Sequence, residues 1–203
     1  MLHILGIEVE APLGLGGAGP LLIVANHVSW LDILVLHALC PHARFVSKAG
    51  VRHWPLIGSL TLAAGTLFIE RESKRDALRV VHHMAEALKA GDTLAVFPEG
   101  TTADGHALLP FHANLLQAAL AADVPVQPVA LRYADEQASP SAAAAYVGTT
   151  TLVSSLWSVV RARGLRVHVR VLPVLPIEGR DRRALAEAAR AAIDSALASY
   201  PRH

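Results

Sequence analysis

The chain has only one cysteine, Cys40, among its 203 residues, which excludes an internal disulfide and favours a reducing compartment. Aromatic residues make up 5% of the sequence and charged residues 17%, whereas hydrophobic residues make up 53%. The net charge is +1, and this near-neutral balance argues against a nucleic-acid binder that depends on bulk charge. The length and the hydrophobic content predict a single domain over residues 1–203 with a substantial core.

The sequence also lacks a convincing membrane-spanning segment. Residues 54–69 form a charge-free stretch, but this stretch is too short for a span and contains proline and glycine. Residues 138–160 are long enough, but proline, glycine and many serine and threonine residues interrupt them. A span needs about 20 mostly apolar residues. Neither stretch is therefore expected to cross a bilayer, and the start of the chain has no pattern typical of a secretory signal.

Short apolar runs alternate with helical patterns along the chain. The runs predict strands at residues 21–25, 44–47, 66–69, 93–97, 126–131 and 166–171. Apolar spacing and capping residues predict helices at residues 74–90, 111–122 and 181–199. This alternation predicts an α/β fold with a mostly parallel central sheet flanked by helices.

Residues 26–32, with the sequence Asn-His-Val-Ser-Trp-Leu-Asp, follow the first predicted strand and place His27 five residues before Asp32. Ligands of open α/β sheets usually bind at the carboxyl ends of the strands, where His27 is expected. A carboxylate held against an imidazole fixes its tautomer, as a general base requires. The alternative is a histidine that makes only local hydrogen bonds.

Three further segments carry distinctive residues. The strand at 66–69 is followed by Arg71, and the strand at 93–97 breaks into Pro-Glu-Gly-Thr, which contains Glu99. Prolines open and interrupt the strand in residues 124–130. Because parallel strands end at one side of a sheet, His27, Asp32, Arg71 and Glu99 are expected to converge.

The order of these four motifs resembles the glycerolipid acyltransferase family over about residues 5–180. The resemblance implies that an acyl group passes from a thioester of coenzyme A or acyl carrier protein to the hydroxyl of a lysolipid. His27 would act as the general base and Asp32 would orient it, without an enzyme nucleophile. The thioester would be a co-substrate, and neither a cofactor nor a metal is expected.

The resemblance also suggests residues that bind the substrate. Arg71 matches the arginine that binds the acceptor, since a guanidinium recognises phosphate or carboxylate through paired hydrogen bonds. Glu99, Gly100 and Thr101 match the third motif, in which Glu99 would hold acceptor hydroxyls or anchor the arginine, or serve only as a turn carboxylate. Gly100 would permit a tight turn or a close approach of ligand. Asn26 would hold the catalytic loop by hydrogen bonds.

Two positions depart from the family pattern. Thr102 and His112 stand where many relatives have an arginine and a lysine. The expected acceptor is 1-acyl-sn-glycerol-3-phosphate, which would give phosphatidic acid. The loss of two basic groups favours the alternative, a lyso-ornithine lipid, which has no phosphate.

The resemblance implies a peripheral enzyme on the cytoplasmic face of a bacterial inner membrane, although the apolar anchor helix of many relatives is not evident here. The segment at 152–163 is a candidate for membrane contact, or else an ordinary core helix. Another alternative is a non-catalytic membrane-binding protein on the same fold. A hydrolase with Ser29 as nucleophile is disfavoured because the chain has no Gly-x-Ser-x-Gly motif.

Overall fold

A computed structural model of the protein describes residues 1–12, 15, 19–48, 67–69 and 74–200. Within these ranges, seven strands form one sheet with the spatial order β1-β7-β6-β2-β5-β3-β4. The strands are β1 Glu8–Glu10, β2 Leu21–Ala25, β3 Arg44–Lys48, β4 Leu67–Ile69, β5 Thr93–Val96, β6 Val126–Ala134 and β7 Arg166–Val171. The arrangement confirms the predicted α/β fold with a mostly parallel sheet.

Helices cover both faces of the sheet. They are α1 Leu31–Leu39, α2 Lys74–Lys89, α3 Gln117–Ala122, α4 Leu152–Arg161 and α5 Arg182–Ala198. Helices α1 and α4 contribute to one hydrophobic cluster, whereas α2, α3 and α5 contribute to the cluster on the opposite face. Within the described residues, no helix has both the length and the apolar character needed to cross a membrane.

The central strands are buried on both faces. Ile23 in β2 packs into the cluster of α1 and α4, while its neighbours Leu22 and Val24 pack into the other cluster. Alternate side chains of a strand point to opposite faces, so a strand that is covered twice must be apolar throughout. This requirement explains the continuous apolar run of residues 21–25.

The direction of the strands places their ends. Strands β2 to β6 are mutually parallel, and their carboxyl ends therefore lie at one end of the sheet, called the carboxyl end below. Strand β7 runs antiparallel to β6, so its first residue, Arg166, pairs with Ala134 at that same end. Strand β1 is parallel to β7 and also starts there, because Glu8 pairs with Arg166.

The structure confirms most of the predicted elements and corrects others. The six predicted strands are present, and β6 extends beyond residue 131 to Ala134. The helix predicted at 111–122 is wrong in its first half, where a 3-10 turn, Ala113–Leu116, precedes α3. Strand β1 and helix α1 were not predicted. The nine residues of α1 are almost uniformly apolar, and they therefore lack the amphipathic pattern that marks a surface helix.

Helix α2 ends in a Schellman motif. The Gly91 N–H donates to Leu88 O at 3.0 Å and the Asp92 N–H donates to Ala87 O at 3.0 Å. The φ angle of Gly91 is +97°, a left-handed conformation that costs little for glycine and more for any residue with a Cβ. The helix predicted at residues 74–90 is confirmed, and Gly91 ends it.

We predict that Gly91→Ala destabilises the protein by about 1–2 kcal/mol because a Cβ disfavours the left-handed conformation. Space is not the reason, since a Cβ at Gly91 would meet no atom within 4 Å. The free energy of unfolding in urea measures the effect. Gly19→Ala is the matched control, because Gly19 has equal space and no positive φ angle. Equal stability of the two variants would contradict the prediction.

Candidate active site

His27 and Asp32 form a hydrogen-bonded pair at the carboxyl end of the sheet. His27 lies in the loop that follows β2, and Asp32 lies in the first turn of α1. The distance from His27 Nδ1 to Asp32 Oδ2 is 2.8 Å. The same oxygen accepts the backbone N–H groups of Val28 at 2.7 Å and Ser29 at 2.9 Å. A carboxylate suits this place because the N-terminus of a helix has free N–H groups and a positive dipole end.

The second oxygen of Asp32 has a partner on another strand. The Tyr133 hydroxyl, near the end of β6, donates to Asp32 Oδ1 at 2.7 Å, and both residues are buried. Burial, followed by the charge of Asp32 and the hydrogen bond to it, raises the pKa of Tyr133 well above its usual value. The hydroxyl therefore stays protonated and acts as the donor. Tyr133, like His27, lies near the carboxyl end of a parallel strand, where ligands usually bind, but the sequence interpretation missed this residue.

The ring of His27 is fixed on two sides. Its Nδ1 faces Asp32, and its plane stacks on the Phe97 ring with a centroid distance of 4.1 Å and an interplanar angle of 13°. The side chain of His27 retains 18% exposure, unlike the buried Asp32. With Nδ1 bonded to Asp32, Nε2 on the other side of the ring is the nitrogen that could accept a proton. This is the arrangement that a general base requires.

Glu99 connects the loop after β5 to the loop after β2, which contains His27. Its Oε1 accepts the backbone N–H of His27 at 2.8 Å, and its Oε2 accepts the backbone N–H of Leu109 at 2.8 Å. Burial raises the pKa of Glu99, and the hydrogen bonds from the two backbone N–H groups oppose this shift. The Ala103 N–H also donates to His27 O at 2.8 Å. Glu99 thus holds the backbone on either side of the site.

Gly100 makes the tight turn that was expected of it. Its φ angle is +73°, and its N–H donates to Phe97 O at 3.1 Å. The turn follows β5 directly and holds Glu99 where its carboxylate accepts the backbone N–H of His27. The neighbouring Thr101 is exposed.

Asn26 and Arg132 use their side chains to join segments of the site. Asn26 Nδ2 donates to Leu131 O at 3.0 Å, and Asn26 Oδ1 accepts the Leu131 N–H at 2.8 Å. The guanidinium of Arg132 donates to Gly105 O at 3.1 Å and to Ser139 O at 3.0 Å. Both residues, with His27, Glu99 and Asp194, line a cavity beside the catalytic loop. The hydrogen bonds expected of Asn26 are therefore present.

The structure thus brings together His27, Asp32, Glu99, Gly100 and Asn26. Arg71 lies outside the described residues, so its expected place in the site stays a prediction.

The two positions that depart from the family pattern lie close to this site. The Thr102 hydroxyl donates to Tyr146 O, and the exposed His112 donates its backbone N–H to Pro98 O at 2.8 Å. Arg79, in the first turns of α2, is exposed and pairs with Asp76 at 3.6 Å.

Ser29 and the possible metal ligands concern two other kinds of site. Ser29 Oγ is buried and has no hydrogen-bond partner among the described residues, so no base activates it as a nucleophile there. The described part of the chain contains no cluster of three or more histidine, cysteine, aspartate or glutamate side chains suited to a metal. His82 and His83 lie on the exposed side of α2.

Comparison with known proteins identifies relatives that cover most of the chain. An acyltransferase family model matches residues 7–132. A lyso-ornithine lipid O-acyltransferase of Pseudomonas aeruginosa is 46% identical over 178 residues, which cover 88% of this chain and 68% of that protein. A 1-acyl-sn-glycerol-3-phosphate acyltransferase of Neisseria meningitidis is 37% identical over 195 residues, which cover 96% of this chain and 75% of that protein.

A solved structure supports the fold assignment. The crystal structure of the 1-acyl-sn-glycerophosphate acyltransferase PlsC from Thermotoga maritima matches with a TM-score of 0.66. The match covers 95% of this chain and 70% of that chain, at 23% identity. At this identity the likeness concerns the fold.

We predict that Tyr133→Phe lowers the free energy of unfolding by about 1–3 kcal/mol, because it leaves Asp32 Oδ1 buried without its donor. Phenylalanine preserves the packing of the ring, so the loss reports the hydroxyl. Urea unfolding of the four proteins in a double-mutant cycle with Asp32→Ala gives the coupling. Tyr133→Phe should lower the free energy of unfolding much less in the Asp32→Ala background than in the unaltered protein. Equal costs in both backgrounds would show that the hydrogen bond does not matter for stability.

Proposed function

The chain belongs to the lysophospholipid acyltransferase family, and from this premise we propose that it moves a fatty acyl group from a thioester to the free hydroxyl of a lysolipid. The proposed donor is the thioester of coenzyme A or of acyl carrier protein. The observation that carries the proposal is the pair formed by His27 and Asp32, with Nδ1 held at 2.8 Å from the carboxylate and Nε2 left for the acceptor.

In the proposed reaction, His27 Nε2 accepts the proton of the acceptor hydroxyl while the hydroxyl oxygen attacks the thioester carbonyl. The new C–O bond forms, the C–S bond breaks, and the imidazolium returns the proton to the departing thiolate. Asp32 stabilises the imidazolium and holds the tautomer, the role of the acid in a catalytic triad. General-base assistance of this kind contributes about 10²–10⁴-fold to a rate.

The network around the pair supports this role. A base must stay within hydrogen-bond reach of the proton that it removes, and small displacements cost rate. Phe97 supports the ring of His27, Glu99 supports its backbone, and Tyr133 supports Asp32. The intact pair and its supports favour an enzyme over a non-catalytic membrane-binding protein.

For the acceptor, we propose a lyso-ornithine lipid. The 46% identity to a lyso-ornithine lipid O-acyltransferase supports this choice, as do Thr102 and His112 at positions where many relatives have basic residues. The cavity beside His27 is lined by the carboxylates of Glu99 and Asp194 and by Arg132, whose guanidinium is already bonded to Gly105 O and Ser139 O. A lining with two carboxylates suits a head group that carries an amine better than it suits a phosphate.

A second acceptor, 1-acyl-sn-glycerol-3-phosphate, is favoured by the relative of Neisseria meningitidis, whose 37% identity extends over 96% of this chain. The product would be phosphatidic acid. In this case Arg71 would be the main phosphate-binding group, since a guanidinium can pair with two phosphate oxygens. Either acceptor places the enzyme at a membrane surface, and we propose the cytoplasmic face of a bacterial inner membrane.

We expect His27→Ala to lower acyl transfer by at least about 10²-fold while the fold is retained, because the general base is lost. Product formation from an acyl thioester, followed by mass spectrometry, gives the rate, and circular dichroism checks the fold. The control is His83→Ala, since His83 is an exposed histidine on α2. Near-normal turnover by the His27 variant would disprove the proposed mechanism.

Competition between the two acceptors tests the head group. With equal amounts of lyso-ornithine lipid and 1-acyl-sn-glycerol-3-phosphate in mixed micelles, we expect mainly ornithine lipid as product. The double variant Thr102→Arg, His112→Lys should increase the share of phosphatidic acid, because it adds two cations near the site. A second double variant, Thr102→Gln, His112→Gln, is the control, because it enlarges or replaces the same side chains without adding charge. Phosphatidic acid as the main product of the unaltered protein would reverse the choice of acceptor.

A further inference from the structure

Helix α4 has one face packed on the protein and an opposite face that is apolar and exposed. Ser155 and Val159 are buried, whereas Val153, Trp157 and Val160 are 78%, 63% and 56% exposed. The last three residues have i, i+4 and i+7 spacing and therefore lie on one side of the helix. We call these three residues the α4 face. Single exposed apolar residues are common, but a row of three with a tryptophan indicates an interaction surface.

The α4 face has a fixed position relative to His27. Trp30, in the loop that contains His27, donates its indole N–H to Ser155 Oγ at 3.0 Å. The Tyr146 N–H, ahead of the helix, donates to Val28 O at 3.0 Å, and the Glu136 N–H donates to Arg163 O at 3.1 Å. Helix α4 is thus attached to the loops that leave β2 and β6 at the carboxyl end of the sheet.

Further apolar side chains are exposed at this end. Ile4, which is 86% exposed, lies in the turn before β1, and the Glu8 N–H of that strand donates to Leu165 O just after α4. Val147 is exposed next to Tyr146. By contrast, the exposed Val174 follows the end of β7 and lies at the opposite end of the sheet.

Cationic groups border the α4 face. The guanidinium of Arg161 lies 5.7 Å from the centroid of the Trp157 ring, and Arg163 is exposed just beyond the helix. Two acidic residues lie near these arginines. The carboxylate of Asp135 accepts hydrogen bonds from Ser141 and from two backbone N–H groups, whereas Glu136 is exposed. A tryptophan beside arginines is typical of surfaces that enter the boundary between the head groups and acyl chains of a bilayer.

We propose that the α4 face, with Arg161 and Arg163 at its border, docks the protein on an anionic lipid surface and lays the carboxyl end of the sheet against it. A second copy of the chain is a poorer occupant, since a stable interface needs about 800 Å² per partner and three side chains supply far less. A few apolar side chains with flanking cations are enough for reversible membrane binding. The benefit to catalysis rests on the proposed function, because a lysolipid stays in the membrane through its remaining chain.

Vesicle co-sedimentation of the full chain without any substrate tests the docking. The vesicles contain phosphatidylcholine alone or phosphatidylcholine mixed with phosphatidylglycerol. Val153→Asp should weaken binding about tenfold or more, because it removes an apolar side chain from the lipid and adds a charge. Val174→Asp is the matched control and should bind like the unaltered protein. Equal binding by the two aspartate variants would overturn the proposal.

The charge contribution has its own readout. The double variant Arg161→Gln, Arg163→Gln should weaken binding to the vesicles with phosphatidylglycerol by about fivefold for each charge lost, about 25-fold for the two, and leave binding to phosphatidylcholine nearly unchanged. An equal effect on both vesicle types would contradict the anionic part of the proposal. Sedimentation velocity without vesicles tests the rival occupant, since a dimer that Val153→Asp dissociates would assign the α4 face to a second copy.

Turnover separates docking from catalysis. Val153→Asp should acylate an acceptor in vesicles more slowly than the unaltered protein, yet acylate a monomeric short-chain acceptor at the same rate. Loss of both activities would contradict a role limited to docking. If the unaltered protein binds vesicles but shows no turnover, the proposed function is refuted and the docking surface stands. If it shows turnover but does not bind vesicles, the docking surface is refuted and the proposed function stands.

Discussion

The hydrogen bonds to the Asp32 carboxylate are the interactions on which the arrangement of the site depends. It accepts hydrogen bonds from the His27 ring, from the backbone of Val28 and Ser29, and from the Tyr133 hydroxyl. These bonds join the loop after β2, the start of α1 and the end of β6. A buried carboxylate is tolerated only when its oxygens are satisfied, and here the groups that satisfy it are those that orient the histidine. Stability and the geometry of the base therefore depend on the same atoms.

Several residues that a sequence motif suggests as substrate ligands hold the backbone of the site in this structure. Glu99 receives the backbone N–H groups of His27 and Leu109, and Asn26 pairs with the backbone of Leu131. Loops at the ends of parallel strands have no ladder hydrogen bonds of their own, so side chains must satisfy their polar groups. Glu99 and Asn26 thus fix the loop that contains His27, and contact with a substrate is not needed to explain their presence there.

The His27–Asp32 pair and the exposed apolar face of α4 both lie at the carboxyl end of the sheet. Trp30 lies between His27 and Asp32 in sequence, and its indole is bonded to α4, whose outer face is apolar. One short motif therefore positions both the His27–Asp32 pair and the surface beside it. The proposed reaction would join a lipid in a bilayer to a donor in water, and this connection would let the acceptor hydroxyl meet the base at the interface.

Elements with strong local patterns were predictable from the order of residues alone. Buried strands must be apolar throughout, Gly91 tolerates a left-handed turn, and the amphipathic pattern of α5 requires a covered face, so β2, α2 and α5 were predictable. The pairing of His27 with Asp32 was also predictable, since it spans one loop. The partners distant along the chain emerge only in the folded structure: Tyr133 for Asp32, Phe97 for the His27 ring and Trp30 for α4. Sequence spacing carries no information about these contacts, because they arise from the order and direction of strands in the sheet.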